Sequence, residues 1–385
     1  MMAKVPSILL TDPDISMTEL EQVAEVLKSP RISSGGIVEN FESVFAEYIG
    51  RKYAITVNSA TMGLMLTLKA YGIGPGDEVV ASAYGFRETV HGIALAGAKP
   101  VFADIDYWSG TLVAAKAEAV ITPQTRAIVA ANTNGHPAIW PSFRELAEKH
   151  SLLLIEDSSE AIGSRYQGKL VGNFGDAAIF DLSQPSPLIC GEGGVIVTDD
   201  IDLASKLRAM RARRLEERQS VVLGEIPPYR AEIGDLSAAL ALVQLQRLPG
   251  ILERRKVTEA FYDAHMQSFE GIKPPYLAPD VDEAHWFLYL VHLGTRFSKS
   301  SRDAIIQDLE TEEIEAVAYC QPVHLQRYYS NLGYRKGAFF VTEKLADRAV
   351  ALPFHNHITE DQVGFIVKTA KDASINIGAG AAIYL

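Results

Sequence analysis

The sequence has two cysteines in 385 residues, Cys190 and Cys320. Two thiols make neither a disulfide framework nor a thiolate metal site, and they predict a reduced, cytoplasmic protein. Long apolar runs are missing as well, since no stretch reaches the roughly 18 residues of a membrane span. The N-terminal MMAKVPSILL holds one lysine and a short apolar run, without the long apolar core of a signal peptide. Positive charge is scarce. The net charge of −12 repels phosphate backbones and argues against a nucleic-acid partner. A small anionic ligand stays compatible, because a local site can oppose the global field. No His-Glu-x-x-His spacing occurs, so no metal site is expected. Internal repeats and low-complexity runs are absent too.

What is present reads as an ordinary globular chain, 48% hydrophobic and 22% charged. Its length suggests two domains, a large one over 1–245 and a small one over 246–385. Short β-rich runs alternate with helical periods. The strand candidates are YAITVN (53–58), EVVAS (78–82), KPVFAD (99–104), AIVAA (127–131), LLLIED (152–157), AAIFD (177–181) and GVIVTD (194–199). Apolar strands between helices predict a mainly parallel sheet covered on both faces. AAIFD and GVIVTD differ, because the loop between them contains GEGG and no helical period. An antiparallel return is expected there. After about residue 246, HWFLYLVHLG reads as a strand, SRDAIIQDLETEEI as a helix, and TEKLADRAVALPF as a helix then a strand. The apolar tail SINIGAGAAIYL reads either as an edge strand or as cover for an interface.

In open α/β sheets, ligands sit beyond the carboxyl ends of the strands. Three features fall there. In VNSATMGL a strand gives way to a helix at Ser59, Ala60 and Thr61, which reads as an anion site or as a plain helix cap. Asp157 ends LLLIED, where a carboxylate can pair with a protonated ring nitrogen or cap a helix. Phe86, in SAYGFRET, can stack on a ring or belong to the core.

Together these residues resemble the DegT/StrS family of sugar aminotransferases, pyridoxal-phosphate enzymes of fold type I. The resemblance runs through GIGPGDEVV, GAKPVFADID, LLLIEDSSEAIGSRYQGKLVGNFGDAAIF, GEGGVIVTDD, LSAALALVQLQRL, PVHLQRYYSNLGY and EKLADRAVALPFHNHIT, nearly the whole chain. It implies an α/β fold: a large domain with a mainly parallel, mixed seven-stranded sheet and a smaller C-terminal α/β domain. It also implies that Ser59, Ala60 and Thr61 face the cofactor phosphate, Phe86 stacks on the pyridine ring, and Asp157 holds the ring nitrogen protonated. Glu160 stands where the family usually has a glutamine near the cofactor.

FDLSQPSPLICGEGG (180–194) departs from that pattern. Aligned without a gap, the Schiff-base lysine falls on Ser186 and the phosphate-binding serine on Asp181. A hydroxyl supplies neither the amine nor the proton shuttle. Family members with histidine in this place work as sugar 3-dehydratases, but residues 151–264 contain no histidine. The nearest upstream lysine is Lys169, in the surface turn YQGKLVG. A carboxylate about 4 Å from a phosphate dianion costs on the order of 4–8 kcal/mol at an effective dielectric near 20. That rivals the ~8 kcal/mol of a micromolar ligand. The family asparagine that reaches the neighbouring subunit's phosphate aligns with Arg230, and the family arginine with Glu232. An Asp181–Arg230 pair across a homodimer interface would either admit a phosphate between its members or fill the phosphate pocket as a salt bridge, and charge matching favours the salt bridge.

His136, in NTNGHPA, is the remaining acid–base candidate. His150 reads as a helix C-terminal cap, and His324, His355 and His357 read as structural. Arg208, Arg211, Arg213 and Arg214 form either a nucleotide diphosphate contact or a solvated face. The expected function is that of a family homologue in nucleotide-sugar biosynthesis that does not run lysine-dependent transamination. The alternatives are a lysine-free enzyme that binds pyridoxal or pyridoxamine phosphate and acts on a keto-sugar, and an aminotransferase that borrows Lys169 or the lysine of a paralogous partner.

Overall fold

The seven apolar runs form one sheet. Its strands are β1 (Tyr53–Val57), β2 (Glu78–Ser82), β3 (Lys99–Ala103), β4 (Thr125–Ala131), β5 (Leu153–Asp157), β6 (Ala177–Asp181) and β7 (Gly194–Thr198). The order across the sheet is β1-β7-β6-β5-β4-β2-β3. β7 alone runs against its neighbours, pairing antiparallel with β6 from Ala177↔Thr198 to Asp181↔Gly194 and with β1 on its other side. The remaining pairs are parallel. The expected mixed sheet and its antiparallel return are both found. The computed structural model describes residues 7–33, 35–85, 90–212, 227–266 and 271–382.

The central strands are apolar throughout because both faces are covered. In β4, Ala127 and Val129 enter one buried cluster, while Ile128 and Ala130 enter another on the opposite face. In β6, Ala177 and Ile179 point one way and Ala178 and Phe180 the other. This two-residue alternation fixes which carboxyl-end residues face the open edge.

Helix α1 (Met17–Lys28) begins at a capping box of Ser16 and Glu19. Helix α2 (Gly36–Ile49) packs its apolar face on β1, and α3 (Ala60–Ala70) lies almost wholly buried on the sheet. Helix α4 (Ile201–Arg211) is the basic helix. Its Arg211 turns inward to Glu42 and to Thr56, whose carbonyl oxygen it reaches at 3.0 Å and whose Oγ1 at 2.9 Å. Arg208 lies over the Tyr53 ring at 5.9 Å. Arg211 is thus not part of a plain solvated face, whereas Arg208 remains exposed. Arg213 and Arg214 lie outside the described residues.

Helix α5 (Asp235–Met266) runs unbroken for 32 residues through Pro249. The expected boundary at 245/246 falls inside it. Ala238, Ala241, Leu242 and Leu245 pack on the large-sheet side, while Tyr262 and Met266 enter the core of the small sheet. One helix therefore serves both bodies. The small sheet is four-stranded and antiparallel, ordered Ile272–Lys273, Tyr289–Leu293, Ala349–Leu352, Val317–Ala318. The tail, through Ala382, is not an edge strand. It continues the helix Glu360–Ala382, whose Val363, Ile366, Val367, Ala370 and Ala373 are buried at helical spacing.

Candidate active site

β2, β4 and β5 end at one edge of the sheet, where Ser82, Asn132, Thr133, Asp157 and Glu160 line a cleft with Tyr84 and, from the other body, Val323. Asp157 closes β5. Its Oδ1 accepts the Ser159 amide at 3.0 Å and its carbonyl accepts the Asn132 amide at 2.9 Å. The carboxylate closes an Asx turn rather than capping a helix, because turns follow β5, and Asp157 also lines the cleft. Glu160 is buried, and its Oε2 accepts the Asn134 amide and the Tyr319 hydroxyl, both at 2.6 Å. Burial, reinforced by the Glu160 charge, pushes the Tyr319 hydroxyl well above its ordinary range and keeps it a donor. Sequence reading missed Tyr319, because a contact between residues 159 positions apart leaves no local pattern.

The start of α3 holds the next group. Ser59 is its N-cap, its Oγ accepting the Met62 amide at 3.2 Å. Thr61 lies half-buried in the first turn. The Ala60 amide donates to Asp181 Oδ2 at 3.3 Å. Asp181 Oδ1 accepts the Ser183 amide at 2.9 Å and also the Ser183 hydroxyl. A carboxylate of the chain thus stands where the exposed amides and the helix dipole favour an anion. Gly194 makes the approach possible. A Cβ there would lie 2.8 Å from Ser59 C, and 2.9 Å from both Ala60 N and Phe180 O. Cys190 is nearby in this loop, its thiol pushed up to about 12, first by burial and then by the Asp181 and Glu192 charges. It is not a nucleophile at neutral pH.

The other sequence candidates lie elsewhere. Ser186 lines a different pocket, with Asp14, Gln244, Arg255 and Asn356, and its Oγ accepts the Leu188 amide at 3.4 Å. It is not among the residues that line the cleft beside Asp157. His136 has both ring nitrogens committed: Nδ1 donates to the Pro137 carbonyl at 2.8 Å, and Nε2 accepts the Ala278 amide at 3.1 Å. Burial holds it below its ordinary pKa, and its two contacts suit a neutral imidazole. Arg230 pairs with Glu232 of its own chain at 3.3 Å on an exposed loop. Lys169 is exposed on a short hairpin. His150 pairs with Glu118 and His324 with Glu343, each at 3.0 Å. The His355 Nδ1 accepts the His357 amide at 3.3 Å. Phe86 lies outside the described residues.

The residues fit pyridoxal phosphate at one pole only. Asp157 suits a protonated ring nitrogen. At the other pole Asp181 takes the helix amide that a phosphate would use, and the described lining of the cleft carries the carboxylates Asp157 and Glu160 with no lysine or arginine. Among the described residues that line the cleft, none carries a side-chain amine. The site does not fit a phosphate-anchored, lysine-linked cofactor. Among the described residues, no cluster of three or more His, Cys, Asp or Glu could hold a metal ion, and no helix is long and apolar enough to cross a membrane.

Comparison with known proteins agrees with the fold. The spore coat polysaccharide biosynthesis protein SpsC of Bacillus subtilis is 34% identical over 371 residues, covering 94% of this chain and 95% of the relative. GDP-perosamine synthase of Caulobacter vibrioides is 33% identical over 368 residues, covering 95% and 98%. Among solved structures, S. venezuelae DesV in complex with a ketimine intermediate matches with a TM-score of 0.87 at 29% identity, covering 96% of this chain and 99% of that one. Helicobacter pylori PseC, an aminotransferase of pseudoaminic acid biosynthesis, matches with a TM-score of 0.87 at 26% identity and the same coverage. The profile of the DegT/DnrJ/EryC1/StrS aminotransferase family matches residues 13–371, and the chain belongs to that family.

Proposed function

We propose that this protein serves nucleotide-sugar biosynthesis, for amino or deoxy sugars of a polysaccharide or natural product, without running lysine-dependent transamination. The observation that carries this reading is Asp181 at the amide of Ala60. A chain carboxylate at that amide supports a phosphate anchor already taken, and Ser186 carries a hydroxyl rather than an amine. The relatives SpsC and GDP-perosamine synthase support the sugar context. The protein acts as a homodimer or beside a lysine-bearing paralogue, and Arg230 of one subunit offers a counter-charge to Asp181 of the other.

Asp157 favours a second reading. A carboxylate kept at the end of β5 suits a lysine-free enzyme that takes free pyridoxal or pyridoxamine phosphate to a keto-sugar.

One experiment separates the two. Purified protein is titrated with pyridoxal phosphate and, separately, with pyridoxamine phosphate, then reduced with borohydride and weighed intact. No binding of either form is the expected result. Saturable binding without a mass increase would move the function to the second reading. A reducible adduct would refute both, and peptide mapping would name the lysine.

A further inference from the structure

The pocket that holds Ser186 lies where four parts of the chain meet: residues 11–14 of the N-terminal segment, residues 184–187 of the loop before β7, helix α5, and residues 354–356 of the small body. Its cavity volume is about 20 Å³, room for one or two water-sized groups. One wall is Arg255, which is 6% exposed. It donates to the carbonyl oxygens of Phe354 at 3.3 Å, Trp286 at 2.8 Å and Phe287 at 2.9 Å, and lies over the Phe354 ring at 4.4 Å. Its chain neighbours have counter-charges, Arg254 in Asp14 at 2.5 Å and Lys256 in Glu259 at 3.1 Å. Among the described residues no carboxylate pairs with Arg255. Burial pulls its guanidinium down to about 10.

The Arg255 Nε has no hydrogen-bond partner, and neither has His355 Nε2. His355 Nδ1 accepts the His357 amide at 3.3 Å, so Nε2 carries the ring proton and is a donor. Gln244 Oε1 and Asn356 Oδ1 are unpartnered as well. Their amide nitrogens are fixed by acceptors: Gln244 Nε2 by the Asp14 carbonyl at 2.8 Å and by Glu19 at 2.7 Å, Asn356 Nδ2 by Asp14 Oδ2 at 2.7 Å. Native interiors leave few polar atoms unpaired, and here four surround one small cavity. Two of them lack an acceptor, and one of those two belongs to a cation. Water alone meets the hydrogen bonds and leaves the buried charge without compensation. Of the carboxylates in the lining, Asp14 is already held by Arg247 and Arg254, each at 2.5 Å. The other, Asp12, is half-buried.

We propose that this pocket binds a chloride ion between Arg255 Nε and His355 Nε2, beside a water that donates to Gln244 Oε1 and Asn356 Oδ1. A monatomic anion fits the volume, whereas phosphate and sulfate do not. Asp12 opposes the ion and keeps the site weak. The bound ion ties the N-terminal segment, the loop that carries Ser186, α5 and the small body into one joint. The site is separate from the cleft lined by Asp157, so the inference does not rest on the proposed function.

The test is thermal unfolding of the intact protein in sodium chloride and in sodium gluconate at matched ionic strength. A saturable rise of about 2–4 °C in chloride alone is expected. Asp12→Asn removes the opposing carboxylate and is expected to lower the half-saturating chloride concentration at least about threefold. Arg255→Gln is expected to abolish the response. It also gives up carbonyl contacts, so crystals soaked in sodium bromide supply a readout that needs no variant, with an anomalous bromide peak expected beside Arg255 Nε. Equal melting temperatures in the two salts overturn the proposal and leave the pocket to water. So does a chloride response that survives Arg255→Gln in full, a half-saturation that Asp12→Asn leaves unchanged or raises, or the absence of a bromide peak at Arg255. The cofactor titration reads a different cleft, so either inference can fail while the other stands.

Discussion

The Asp181 carboxylate stands at the N-terminus of the helix Ala60–Ala70, its Oδ2 accepting the Ala60 amide at 3.3 Å. Unpaired amides and the helix dipole make such a terminus attractive to anions. Here the anion is supplied by β6 of the same chain, and its other oxygen is held by Ser183. A phosphate entering this place must displace or endure a carboxylate with three hydrogen bonds.

Replacing Asp181 therefore has two opposed effects. Asp181→Asn keeps an acceptor but loses the charge, and a lowered stability of about 0.5–2 kcal/mol is expected from the weakened cap and dipole interaction. Asp181→Ser also frees the amides. Inorganic phosphate should then raise the melting temperature of Asp181→Ser in a concentration-dependent way while leaving the unsubstituted protein unmoved. Equal responses in the two proteins would show that Asp181 does not guard the helix terminus.

Glu160 separates charge from hydrogen bonding. Glu160→Gln keeps an oxygen for the Asn134 amide and the Tyr319 hydroxyl, and a small loss of stability is expected. Glu160→Ala removes the acceptor of both donors, at about 1–3 kcal/mol for each hydrogen bond lost in the interior. Urea midpoints of the two variants should therefore differ clearly, with alanine the weaker. Matching midpoints would mean that water replaces the carboxylate.

Much of the fold is legible in the sequence, and the reason is local. Apolar runs such as AIVAA and LLLIED have to be covered on both faces, and GEGG without a helical period leaves β7 only an antiparallel return. The site is legible where a residue's place follows from its strand, as for Asp157 at the end of β5 and Ser59 at the start of α3. It is not legible where the path of a loop decides. The segment between β6 and β7 turns Ser186 toward Arg255 and Asn356, a choice made by packing against residues far along the chain. Arg211 and Glu42 meet across 169 positions, which no charge run reveals. SINIGAGAAIYL carries β-branched residues and glycines that disfavour a helix. The helix forms because Ala370 and Ala373 continue a buried stripe against the small sheet.

Gly194 tests the close approach of β7 to α3. A methyl group there would sit within 2.9 Å of backbone atoms of Ser59, Ala60 and Phe180, none of which is a flexible side-chain end. Gly194→Ala is expected to cost at least about 1–3 kcal/mol, the range for overpacked interiors. Thermal unfolding measures it. A melting temperature equal to that of the unsubstituted protein would show that the strand and helix can part freely.

The last prediction concerns pH. His292 lies on Tyr289–Leu293, and burial holds its imidazole down to about 4, against about 6.5 in an unfolded chain. As pH falls, the unfolded state takes up the proton first, so stability rises with pH across this window. The contribution is full above about pH 6.5 and is lost as pH falls toward about 4. His285, held down to about 3 by burial and then by the Lys256, Arg255 and Arg165 charges, acts in the same direction. His292→Leu removes one of these groups together with an unpaired Nδ1. Its urea midpoint should fall less steeply than that of the unsubstituted protein between about pH 6.5 and pH 4, without becoming flat, because His285 still titrates. At pH 7 the variant should be as stable or more so, because a buried atom without a partner has been replaced by an apolar one. Parallel pH profiles for the two proteins would show that His292 is already solvated in the folded state.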